Sequence, residues 1–126
     1  MKKNSVRPVL ILSLLLVTRL FAAVPEIRLA GNGGARFDVV VSPSAERAVR
    51  ELAVELTNQL RRVTGQSFDM VEGDGATGIA FGLGSDFPAS APQEAARFEP
   101  GHPLKREAYL MRTHANGLWL LGATPL

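Results

Sequence analysis

Cysteine is absent from this 126-residue chain. No disulfide can staple it and no thiolate zinc site can form, so an oxidising compartment is tolerated but not exploited. Histidine occurs only at positions 102 and 114. Neither His102 nor His114 has a second His, Asp or Glu at the four-residue spacing of a helical metal pair. Both read as solvated side chains, and no metal or cofactor is expected. No nucleophile elbow is present. "FGLGSD" lacks the third glycine and the subsequent helix that a dinucleotide loop needs, because Phe87 and Pro88 come next. "GNGGAR" lies ahead of the first strand instead of after one, and both stretches read as turn punctuation. Internal repeats and long low-complexity tracts are missing as well.

The amino end has a definite layout. "MKKNSVRPVLILSLLLVTRLFAAVPE" combines a basic head (Lys2, Lys3, Arg7), an apolar stretch from Val9 to Val17 and small residues at Ala22 and Ala23. These are the three parts of a secretory signal peptide. The apolar stretch falls short of the about 20 residues a bilayer demands, and Arg19 breaks the apolar character between Val17 and Ala22. That argues against a membrane anchor or a buried amino-terminal helix. Residues 1–22 are read as the leader, with cleavage after Ala22 preferred over cleavage after Ala23. The product is expected in the periplasm or outside the cell, with no stable membrane anchor after processing.

Removing the leader reverses the charge. Four of the 14 basic residues lie in it and none of the 12 acidic ones, which leaves 10 against 12 and a formal net of −2. No positive field remains to suggest nucleic acid or anionic lipid. About 103 residues are enough for one small domain with one core. We divide them into a linker at 23–36 and a domain at 37–126.

Within that domain, "RFDVVVS" enters a strand with Phe37, Val39 and Val41 on one face. Ser42 is positioned to cap a helix with Pro43 as its first residue. Ala45, Ala48, Val49, Leu52, Leu56, Leu60 and Val63 recur at the three-to-four spacing of one helix face, and Gly65 ends it. "QSFDMVEG" is a strand with Phe68 and Met70 inward. "GIAFGLG" is another, with Ile79, Phe81 and Leu83 on one face and Ala80, Gly82 and Gly84 on the other, the small side admitting a close neighbour. Ser85 to Pro103 holds four prolines and reads as a long surface loop. "REAYLMRTHANGLWLLGA" is a hairpin turning at Asn116-Gly117, a type I′ pair. The order β-α-β-β-β-β gives an α/β fold of two layers (α+β), one long helix on a largely antiparallel or mixed sheet.

Acidic residues matter most for catalysis, because glycoside hydrolysis needs two carboxyls about 5–10 Å apart across a sugar. Asp86, Glu94 and Glu99 fall in the long loop and Glu107 opens a strand. Their spacing selects no pair, so ordinary surface charge is the default. Tyr109 and Trp119 could stack on a sugar, but Trp119 lies in an apolar strand and reads as core. No catalytic, cofactor-binding or metal residue is assigned.

Three stretches together carry a likeness: "VVVSPSAERAVRELAVELTNQLRRVTGQSFDMVEG", "GIAFGLGS" and "REAYLMRTHANGLWLLGATP". The combination resembles the N-terminal accessory domain of family 67 α-glucuronidases. It is also similar to the related domain ahead of the barrel in family 20 β-hexosaminidases. The likeness spans Phe37 to Pro125 and rests on hydrophobic patterns with a few glycines. In that family the last strand turns through G-x-T-x-x-G into a second helix on the sheet, and a later barrel supplies the catalytic carboxylates. Gly122, Ala123, Thr124 and Pro125 match the start of that turn. The resemblance therefore implies a domain cut before its last helix, whose partner is a catalytic barrel of the same or a parent protein. A free-standing module that binds a glycan or protein through the 85–103 loop is the alternative, and a self-sufficient small hydrolase has least support.

Overall fold

The computed structural model describes residues 26–125. The leader lies outside the described residues, among which no helix is long and apolar enough to cross a membrane. The described residues form seven strands and one long helix. In chain order they are β1 (Ala30–Gly31), β2 (Gly34–Ala35), β3 (Val39–Val41), α1 (Arg47–Thr64), β4 (Met70–Glu72), β5 (Gly78–Leu83), β6 (Tyr109–His114) and β7 (Gly117–Gly122). The first two strands form a small antiparallel pair. The rest form one mixed sheet in the order β4-β3-β5-β7-β6. Only β6, at the edge, runs antiparallel; β4, β3, β5 and β7 are mutually parallel. One helix packed on this sheet gives the expected two-layer α/β architecture.

Hydrophobic spacing explains α1 only in part: of the face expected from sequence, Ala48, Leu52 and Val63 are exposed, and Ala53, which was not on it, is fully buried. Val49 and Ala53 are buried against Val39, Val41 and Ile79, with Leu56 and Leu60 half-buried beside them. Each large side chain so buried contributes about 1.5–3 kcal/mol. Gly65 closes the helix in the left-handed region (φ 73°), donating its N–H to Arg61 O at 2.9 Å. The start differs from expectation. Ser42 does not cap the helix and Pro43 is not its first residue; Ser42 Oγ instead accepts the Ser44 N–H at 3.2 Å in a tight turn. Arg50 then reaches back along the helix and donates to the carbonyls of Ala45, Ser42 and Pro43. Those bonds stabilise a turn where a first helical turn was expected, and α1 begins only at Arg47.

Alternation along β5 sorts the core. Ile79, Phe81 and Leu83 face α1, while Ala80 joins Val40, Phe87, Ala95 and Leu121 on the opposite side. Among the described residues no long helix covers that second side. Two short 3₁₀ turns, Gly84–Asp86 and Gln93–Arg97, and the chain between them lie on it. Small residues in and just after β5 admit them: a Cβ at Gly82 would sit 2.5 Å from Asp86 Oδ2, and one at Gly84 would sit 2.6 Å from Ala95 O. The segment expected as a surface loop is thus partly core, with Phe87 only 1% exposed.

Three further details depart from the sequence reading. Met70 is 38% exposed, because β4 is an edge strand, whereas Phe68 just before it is buried. The hairpin pairs His114 with Gly117, so Ala115 and Asn116 form its turn. Asn116 has no positive φ, which rules out the type I′ geometry. Gly117 is needed for another reason: a Cβ there would overlap Gly78 O on the paired strand. Finally, part of the 23–36 stretch read as a linker holds the β1–β2 pair, and Ile27, Leu29, Ala30 and Ala35 pack against the α1-side core.

Candidate functional site

The four carboxyls singled out by sequence do not converge. Asp86 Oδ2 accepts the Leu83 N–H at 2.8 Å, holding the turn that leaves β5. Glu94 Oε1 accepts from Arg112 Nη2 at 2.9 Å, an ion pair that ties the covering segment to β6. The Arg112 hydrogen bond, with help from Glu94's own backbone, lowers the Glu94 pKa. Glu99 Oε1 takes the Lys105 ammonium at 2.7 Å. Glu107 is not on a strand: it sits exposed in a turn two residues before β6. Asp86, Glu94 and Glu99 are each engaged locally, and nothing places two of the four across a common cleft.

The aromatic and imidazole groups are separated too. Tyr109 is 78% exposed on the α1 side of β6. Trp119 is half-buried on the opposite side of the sheet, among the residues packed on the Phe87 cluster. A single sugar platform from both is therefore excluded by the pleat. Trp119 stacks on His114, with ring centroids 4.0 Å apart and planes 22° off parallel. His114 is not the solvated residue expected. Its Nδ1 accepts the Asn116 N–H at 3.4 Å, its Nε2 and Trp119 Nε1 are buried without a partner among the described residues, and desolvation lowers its pKa. His102 Nδ1 accepts the Leu104 N–H at 3.2 Å in the turn before β6. Among the described residues no group of three or more His, Asp or Glu could hold a metal ion.

Two concave features stand out. The first is an apolar groove of about 250 Å³ on the α1 side. Val49 and Leu52 wall it on the helix, Phe81, Leu83 and Leu120 floor it, and Tyr109 and Pro125 lie at its rim. Because α1 covers the β3–β5 side, the sheet's apolar face stays open over β6 and the Leu120 end of β7, whereas Leu118 is buried; Met111 on that face is 66% exposed. The second is a cleft of about 510 Å³ between the turns that leave β3, β4 and β5. Ser42, Pro43 and Ser44 line it from one side, Gly73 and Asp74 from another, and Asp86 to Ala89 from the third. Ser44 and Asp74 had drawn no functional reading from sequence. Their one signal is that each lies just past the carboxyl end of a strand, which becomes meaningful only once strand order is known.

No protein-family model, no curated protein and no solved structure matches this chain.

Proposed function

We propose that this chain is the non-catalytic N-terminal domain of an exported glycoside hydrolase of the α-glucuronidase type. In polysaccharide breakdown it would pack against a catalytic barrel that the parent protein supplies. The observation that carries the reading is the open apolar groove between Leu52 and Tyr109. Strands lie about 4.8 Å apart, so β6 and the partly covered β7 together present about the width of one helix. A second amphipathic helix of the parent, laid beside α1, would bury Leu52, Leu83, Leu120 and Met111 together. The dispersed carboxyls support the same view, since a glycosidase needs two of them fixed about one bond.

The test is turnover by the chain alone. A pure preparation should leave aryl glucuronides and aryl N-acetylglucosaminides uncleaved above background. Turnover that disappears in Glu107→Gln would replace this reading with that of a small self-sufficient hydrolase.

A further inference from the structure

We infer that the cleft at the carboxyl ends of β3, β4 and β5 is a binding site for a neutral sugar, distinct from the apolar groove. Topology comes first. The chain runs from β3 outward to β4 and then crosses back to β5 on the other side of β3. The order of connection therefore reverses between β3 and β5. In open α/β sheets, ligands bind outside the carboxyl ends of the strands at such a reversal, where diverging connections leave a crevice. Here an open, shallow crevice of about 510 Å³ lies at that reversal.

The crevice is also braced. Ser90 Oγ donates to Asp74 O, pinning the turn after β5 to the one after β4. A Cβ at Gly75, which has φ 78°, would lie 2.7 Å from the Phe87 ring, so only glycine lets the β4–β5 connection close on that ring.

Chemistry then selects the ligand. A nucleotide or phosphate is disfavoured, because Asp74 and Asp86 line the cleft and no Lys or Arg does among the described residues. Arg50, whose guanidinium reaches the Ser42 turn, spends it on the Ser42 and Pro43 carbonyls and on Glu72. The polar groups that the mainly apolar cleft does offer are acceptors and hydroxyls. Asp74 Oδ1 accepts the Ala76 N–H and Asp86 Oδ2 the Leu83 N–H, leaving the second oxygen of each carboxylate without a partner among the described residues. Ser44 Oγ, paired with Ser42 Oγ at 2.9 Å, can still donate or accept once more. Pro43, Pro88 and Ala89 add apolar surface for the C–H face of a ring. Two carboxylate acceptors and a hydroxyl set at the edge of a mainly apolar wall together match a neutral polyhydroxylated ring, whose C–H face packs on the wall.

The experiment uses the full chain, with methyl glycosides of neutral pentoses and hexoses, glucosamine, inorganic phosphate and Ca²⁺ as probes. Saturation-transfer NMR should show transfer to the ring protons of at least one neutral glycoside. In the ¹⁵N spectrum that glycoside should shift the Ser44, Gly73 and Asp74 amides and leave the Trp119 indole unmoved. Asp74→Asn keeps the oxygen that holds Ala76 while removing the charge, and should weaken binding about tenfold, as should Ser44→Ala. The inference is overturned if no neutral glycoside shows transfer, if the shifts fall outside the cleft, or if both folded variants bind as the parent chain does. Binding of only glucosamine or Ca²⁺ would make this an acidic cation site instead, and binding of phosphate would contradict the electrostatic argument. None of these outcomes bears on whether a second helix of the parent covers the apolar groove.

Discussion

Replacing Gly117 by alanine should remove most of this domain's stability, although the side chain gained is one methyl group. Gly117 starts β7 at φ 153° and is paired with Gly78, which starts β5 at φ 86°. A Cβ at Gly117 would overlap Gly78 O and lie 2.9 Å from Gly78 N, both backbone atoms that cannot swing aside. Alanine must therefore leave a conformation that costs it about 1–3 kcal/mol and push apart the two central strands, at a further cost of about 1–3 kcal/mol. A combined loss of about 4 kcal/mol is most of the stability of a small domain at the low end of the usual range of about 5–15 kcal/mol. Gly122, at the other end of the same strand, is the control. Its Cβ would meet only Thr124 O at 3.4 Å with no positive φ, so Gly122→Ala should cost under about 1 kcal/mol. Urea unfolding monitored by circular dichroism reads both. If Gly117→Ala unfolds within about 1 kcal/mol of the parent chain, the pairing of Gly78 with Gly117 between β5 and β7 is wrong.

The surface and the titrating groups give further outcomes. Tyr109→Lys with Met111→Lys should raise solubility and reduce binding of a hydrophobic dye, because both side chains are exposed on the open apolar face, while unfolding should move by no more than about 0.5 kcal/mol per site. His114 has its pKa lowered by desolvation, so the unfolded chain takes up a proton first. Its contribution is complete above the ordinary value of 6.5 and is lost as pH falls below it, and fluorescence of the single Trp119 stacked on it should titrate with a midpoint under 6.5. The Glu94 pKa is lowered too, by Arg112, so its contribution is present above 4.5 and fades as pH drops through its folded value. Arg112→Gln should move the Glu94 carboxyl titration, monitored by ¹³C NMR, back toward 4.5.

Local pattern made some parts of this fold readable and left others hidden. Gly65 marked the end of α1 correctly because its left-handed φ is a local requirement. The two faces of β5 were legible because alternation is a backbone property. Ser42-Pro43 misled because a capping serine and a turn serine look alike in sequence; Arg50, seven and eight residues on, decides between them. The burial of Phe87 and Ala95 could not be read from a Pro-rich stretch, since it depends on small residues in and just after β5 meeting them from elsewhere. Asn116-Gly117 looked like a hairpin turn, but the glycine serves a neighbouring strand. The cleft formed by Ser44, Asp74 and Asp86 was invisible for the same reason: it needs β4 and β5 on opposite sides of β3, and hydrophobic periodicity carries no strand order.

The central proposal concerns what covers the groove beside α1, and the mass of the native product tests it most directly. Antibodies raised against residues 26–125 should detect, in the exported fraction of the source cells, a protein larger than this chain by at least a barrel of about 250 residues. A native product no larger than 13.5 kDa, soluble, monomeric and cooperatively folded, would contradict it.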